Sequence, residues 1–129
     1  MKDTFETFIK ALKKNKKECP WAKEQEKEHY INYLTDEVQE IRQAIENNDI
    51  ENLKEELGDA LMDILFLTII AEEEGHFTIK EVIKGVNTKL IRRKPWVFGS
   101  ETISNKEEAV QRWNEIKALE KLERNKQPK

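Results

Sequence analysis

The chain has 129 residues, 38% of them charged, and its 23 basic and 26 acidic residues leave a net charge of −3. That length suits a single domain able to bury roughly two-thirds of its unfolded surface, and residues 1–129 are read as one helical domain. The near-balanced charge gives no global field for a nucleic-acid polymer or an anionic membrane, so neither is expected as a partner and any basic function must be local. The longest apolar run, residues 61–71, is broken by Asp63 and Thr68 and is too short to cross a bilayer. The lone Cys19 forms no internal disulfide and no charged-then-apolar leader opens the chain, so a cytoplasmic location is expected.

A first helix is predicted near Asp3 to Lys14, with Phe5, Phe8, Ile9 and Leu12 at helical spacing. Residues 1–18 form this helix and its linker, and a loop is expected around Cys19-Pro20-Trp21. The second helix runs from about Glu24 to Glu46 and stops at Asn47-Asn48-Asp49, where Asp49 can cap the third. The third runs to about Glu74 and is closed by Gly75. Thr78 with Glu81 makes a capping-box pattern for a fourth helix ending before Pro95, and Ser104 with Glu107 repeats it for a fifth, through Trp113 towards Leu122. Residues 123–129 read as a polar, frayed tail. The prediction is an all-α bundle of about five helices. Apolar residues nearly encircle the third helix between Leu61 and Ala71, which suggests a central element and assembly as a dimer or tetramer.

Two carboxylate pairs stand out. With Leu34 as zero on a helical wheel, Val38, Ile41 and Ile45 fall within roughly 40° of it, while Glu37 and Glu40 lie at about −60° and −120°. On the third helix Leu53, Leu57, Ile64 and Leu65 are taken as the stripe, and Glu56 and Asp59 occupy the same two offsets. If the helices pack as an antiparallel hairpin through their stripes, four carboxylates converge at the border of core and solvent. Such pairs are commonly solvated faces, yet close like charges on adjacent helices destabilise unless a cation compensates them. Asp63, at about −80°, reads either as a supporting ligand or as a buried carboxylate satisfied by a Lys, an Arg or the Trp113 indole. Oxygen ligands alone favour Mg²⁺ or Mn²⁺, and Mg²⁺ sites of this kind complete their shells with water and substrate phosphates.

A basic element follows. Lys89, Arg92 and Arg93 share one side of a helix end, where they suit phosphate contacts or simply complement the helix dipole. Trp21, Trp96, Phe98 and Trp113 offer either stacking surface for a base or core packing.

Together these segments resemble the MazG nucleoside triphosphate pyrophosphohydrolases. The resemblance rests on Cys19-Pro-Trp-Ala-Lys-Glu-Gln25, Glu37-Val-Gln-Glu40, Leu53-Lys-Glu-Glu-Leu-Gly-Asp59, Ala71-Glu-Glu-Glu-Gly75 and Lys89-Leu-Ile-Arg-Arg-Lys-Pro-Trp-Val-Phe-Gly99, and covers residues 19–117 in order. It implies an all-α fold working as a dimer or larger assembly, with Mg²⁺ held by Glu37, Glu40, Glu56 and Asp59. It implies triphosphate contacts from Lys89, Arg92 and Arg93, and a nucleotide site bordered by Trp113 and Lys117 in Trp-Asn-Glu-Ile-Lys117. The reaction expected is cleavage of a nucleoside triphosphate between the α- and β-phosphates, with Glu37 or Glu40 handling the attacking water. Ala22, Lys94, Trp96 and Asp36 depart from the residues usual in the family, and none of these removes a metal ligand. The rival readings are a non-catalytic nucleotide- or metal-sensing module and a structural helical oligomer. Relatives that carry two such units suggest that this single one pairs between chains.

Overall fold

The computed structural model describes residues 1–126 and is all-α. Its elements are α1 (Lys2–Glu18), α2 (Pro20–Glu24), α3 (Lys27–Glu46), α4 (Ile50–Glu73), α5 (Ile79–Arg93), α6 (Pro95–Phe98) and α7 (Lys106–Lys126). The five expected helices are present, joined by two short ones that periodicity could not signal. α2 spans five residues and α6 four, and each starts on a proline whose fixed φ suits the first helical position. The Cys-Pro-Trp segment is therefore a turn of helix rather than a loop. Lys16 holds it: its buried ammonium donates to the carbonyls of Ala22 (2.9 Å) and Gln25 (3.0 Å), satisfying acceptors at the C-terminus of α2.

Two compact units are present, Met1–Val82 and a second beginning at Ile83. In the first, α3 and α4 form an antiparallel hairpin joined at residues 47–49, with Asp49 Oδ1 accepting from the Asn52 N–H (3.1 Å) as an N-cap. Asn48 makes the turn at φ +51° and Gly75 ends α4 at φ +79°. The core gathers Leu12 of α1, Tyr30 of α3, Leu65, Phe66, Ile69 and Ile70 of α4, and Ile79, with Phe5, Phe8 and Ile9 against it. Tyr30 stacks on Phe66 with ring centroids 5.1 Å apart.

The hairpin packs through only part of its aliphatic stripes. Val38 and Ile45 on α3, and Leu57 and Ile64 on α4, are exposed, while Leu34, Ile41 and Leu53 are half-buried and Leu65 lies in the core. The residues buried or half-buried beside them are Tyr30, Glu37 and Ala44 on α3 and Glu56, Ala60 and Asp63 on α4, a side centred about 60° from Leu34 and Leu53 towards the acids. Two alanines, Ala44 and Ala60, are buried there. The carboxylates consequently sit within the seam rather than at its edge.

In the second unit α7 is capped one residue later than expected. Asn105 Oδ1 accepts from the Glu108 N–H (2.9 Å), and the Glu108 carboxylate accepts from the Ser104 N–H (2.9 Å). The helix continues to Lys126, past the predicted fraying point at Glu123; the rest of the expected tail, residues 127–129, lies outside the described residues.

Candidate functional site

Glu37 on α3 and Glu56 and Asp59 on α4 offer oxygens that all lie within 4.8 Å of one another. They meet because an i, i+3 pair on α4 faces the same level of α3 across the hairpin. Glu56 is 9% exposed, while Glu37 and Asp59 are half-buried. Glu37 Oε2 and Glu56 Oε2 are buried with no hydrogen-bond donor. A carboxylate oxygen removed from water without a donor is costly, so this set requires shared protons or a cation. The donor chemistry suits a hard divalent ion.

Glu40 lies outside the tight group and is exposed, but it adjoins both partners. The crowding raises the affinity of these groups for protons. The neighbouring Glu37 carboxyl, then burial, hold Glu56 above the ordinary carboxylate range, and Glu56 does the same to Glu40. At Glu37 the contact with Glu56 acts downward but is outweighed by burial and by Glu40 and Asp59, so its pKa also rises. Asp63 is 5% exposed, and no ion pair or hydrogen bond satisfies it among the described residues. Burial, then the charge of Asp59, push it upward. Neither a Lys nor an Arg pairs with it, contrary to that reading of the sequence.

The basic residues belong to the second unit. Lys89, Arg92 and Arg93 line a cavity of about 650 Å³ with Arg112, Ile116 and Glu120. The arginines are not free: Glu120 accepts from Arg93 Nη2 (2.8 Å) and from Arg92 Nε, and the two guanidinium groups hold its pKa at about 2. Arg93 lies 5.2 Å above the Trp113 ring and Lys94 Nζ lies 5.8 Å from it. Trp113 also lines a smaller cavity with Lys94, Trp96, Ala109 and Val110. Lys117 is exposed. Trp21 and Phe98 are exposed rather than core residues, and Trp21 stacks on Tyr33 at 6.2 Å. Sequence reasoning missed Glu120, although it lies seven residues after Trp113 and so shares its helix side.

The fold and this cluster define an all-α protein with a carboxylate centre of the kind that holds a divalent metal. The sequence matches the MazG nucleotide pyrophosphohydrolase domain over residues 25–98, and the chain belongs to that family. It is 39% identical over 119 residues to the nucleoside triphosphate pyrophosphohydrolase/pyrophosphatase MazG of Thermotoga maritima, covering 91% of this chain and 45% of that protein. It is 34% identical over 122 residues to the nucleoside triphosphate pyrophosphohydrolase of Escherichia coli K12, covering 95% and 46%. The chain thus spans less than half the length of these relatives. The crystal structure of a mazG-related protein from Thermotoga maritima superposes with a TM-score of 0.77 at 34% identity, covering 88% of this chain and 98% of that one. The domain match includes both acidic pairs and the basic trio but ends before Trp113 and Lys117.

Proposed function

We propose that the chain is a nucleoside triphosphate pyrophosphohydrolase that cleaves between the α- and β-phosphates, releasing a nucleoside monophosphate and pyrophosphate. The observation that carries this reading is the convergence of Glu37, Glu56 and Asp59 with two buried oxygens lacking donors, in a family named for that activity. These three, with Glu40 beside them, would hold Mg²⁺ or Mn²⁺. The bound ion would neutralise triphosphate charge and lower the pKa of an attacking water.

The protein's own groups do the remainder. Glu40 is the exposed member of the acidic set and stands beside the tight group, which suits a base that orients the water and accepts its proton. Glu37 is left to the metal. As water oxygen bonds to the α-phosphorus, the bond to the bridging oxygen breaks and pyrophosphate departs with that oxygen. Lys89, Arg92 and Arg93 are assigned to the β- and γ-phosphates and to the charge of the leaving group. Trp113 and Lys117 are assigned to the border of the nucleotide site, and Asp63 to a supporting acid. The substrate is a mononucleotide in the cytoplasm, with neither nucleic-acid polymer nor membrane as partner; no helix among the described residues is long and apolar enough to cross a bilayer.

A homo-oligomer, dimer or tetramer, is part of the proposal. Ile31, Val38 and Ile45 recur every seven residues on α3, and Ile50, Leu57 and Ile64 do so on α4; each is 45 to 68% exposed. The two rows pair at equal distances from the hairpin turn, giving an apolar strip suited to a second hairpin. The test is incubation with Mg²⁺ and a panel of ribo-, deoxyribo- and oxidised nucleoside triphosphates, measuring pyrophosphate separately from orthophosphate. Pyrophosphate release that disappears in Glu56→Ala supports the reading. Binding of Mg²⁺ and nucleotide without release would replace it with a sensing module.

A further inference from the structure

Glu120 makes the most contacts to the basic end of α5. Its carboxylate accepts from Arg93 Nε (3.0 Å) and Nη2 (2.8 Å) and from Arg92 Nε. The Arg93 and Glu120 side chains are only 13% and 16% exposed, whereas Arg92 is 49% exposed. Arg93 is thus gripped along one edge by Glu120 and on one face by Trp113. Arg92 is gripped at Nε alone. The groups left over, Arg93 Nη1 and both Nη groups of Arg92, belong to side chains lining the 650 Å³ cavity.

We propose that Glu120 is a positioning residue for polyphosphate: it holds Arg92 and Arg93 in one geometry so that their remaining N–H groups receive an anion together. The proposal rests on the triphosphate reading above and specifies how the cavity would bind that chemical class. A free arginine loses rotamer freedom when it grips a phosphate, and one already held by a carboxylate loses less. The alternative is that Glu120 competes with the anion and must leave. Withdrawing Glu120 would leave the largely buried Arg93 charge without its carboxylate, which argues for a fixed pair that ligand does not break.

The experiment is calorimetric titration of the full chain with inorganic tripolyphosphate, alongside kcat and KM for a nucleoside triphosphate, in wild type, Glu120→Gln, Arg93→Lys and the double variant. Glu120→Gln keeps the shape and one acceptor but loses the charge that holds both guanidinium groups. Expected are a roughly tenfold weaker tripolyphosphate affinity, a matching rise in KM and a kcat within about twofold. Arg93→Lys should weaken tripolyphosphate binding similarly and also lower kcat, since Arg93 is assigned to the leaving group's charge, and the double variant should lose little more affinity, because both break one unit. Tighter binding in Glu120→Gln would identify a competitor and overturn the proposal, as would unchanged affinity or fully additive losses. Should Glu120→Gln fail to keep the wild-type melting temperature, Arg93→Lys decides, with undiminished affinity overturning the proposal. Weaker tripolyphosphate binding in a protein that hydrolyses no nucleotide would refute the proposed activity and leave this inference standing.

Discussion

The α3–α4 hairpin and the α5–α7 region handle charge in opposite ways. In the hairpin, Glu37, Glu56 and Asp59 crowd together with Glu40 beside them and no basic partner among the described residues, and two buried oxygens have no donor. In the second unit three carboxylates meet arginines: Glu120 is held by Arg92 and Arg93, Glu101 by Arg112 at 2.9 and 3.0 Å, and Glu115 by Arg112 at 3.3 Å. A cluster that its own chain leaves unsatisfied is poised for something from outside. A saturated pair instead orients what it holds. The contrast separates a site that must be completed by a ligand from one whose parts are already fixed.

The largest expected effect comes from completing or removing the unsatisfied cluster. Glu56→Gln should lower pyrophosphate release by roughly 10³-fold, the scale lost when a positioned charge at a reaction centre is removed. Without metal the same variant should melt higher than wild type, because it relieves repulsion among close carboxylates. Mg²⁺ at about a hundred times its Kd should raise the wild-type melting temperature by roughly 10 °C, since a ligand bound only by the native state adds its binding free energy to stability. Glu56→Gln should lose most of that rise. A variant with full turnover, or a wild type whose melting is indifferent to Mg²⁺ and Mn²⁺, would remove the metal assignment.

The two regions should also respond to pH with opposite signs. Glu37, Glu40 and Glu56 have raised pKa values in the fold, so their contribution is present below the unfolded value of 4.5 and is lost as pH rises through the folded values. Glu120 is depressed to about 2, so its contribution is present above 4.5 and is lost as pH falls from 4.5 towards 2. Metal-free protein should therefore lose stability in two windows, one on each side of pH 4.5. Glu56→Gln should reduce the loss above that point, and Glu120→Gln the loss below it, where Glu74 and Glu101, lowered by Lys27 and Arg112, supply the remainder. Melting curves in a chelator across pH 2 to 8 check this, and one shared window would show that the regions do not differ.

Helix existence was legible because the long elements carry strong periodicity and recognisable caps at Asp49, Thr78 and Gly75. The short helices α2 and α6 were not, since four or five residues cannot display a period. The acids were legible as pairs, and their convergence depended on α3 and α4 being neighbours across a short turn. What the wheel could not supply was the side of the hairpin that faces inward. Aliphatic residues look like the natural seam, yet Ala44 and Ala60 are buried together with Glu56 and Asp63 while Val38, Ile45, Leu57 and Ile64 are exposed. Glu120 stayed hidden for a different reason. A glutamate on a charge-rich helix has no signature until its arginine partners are placed beside it.

The hairpin's displaced aliphatic strip gives the smallest change in the monomer and a separate check on why the acids lie inward. If Ile31, Val38, Ile45, Ile50, Leu57 and Ile64 are exposed because a second copy covers them, a charge there should weaken assembly while sparing the hairpin. Ile45→Lys is the informative choice. It lies about two turns from Glu37, is 59% exposed, and places a cation in the last turn of α3, where the helix dipole favours it. Monomer stability should change by no more than about 0.5 kcal/mol, as for other exposed positions. Self-association measured by light scattering should weaken roughly tenfold or more, because docking would bury an unpaired ammonium. A wild type that stays monomeric at micromolar concentration, or a variant that assembles equally well, would mean that the strip faces water and that assembly does not account for the inward acids.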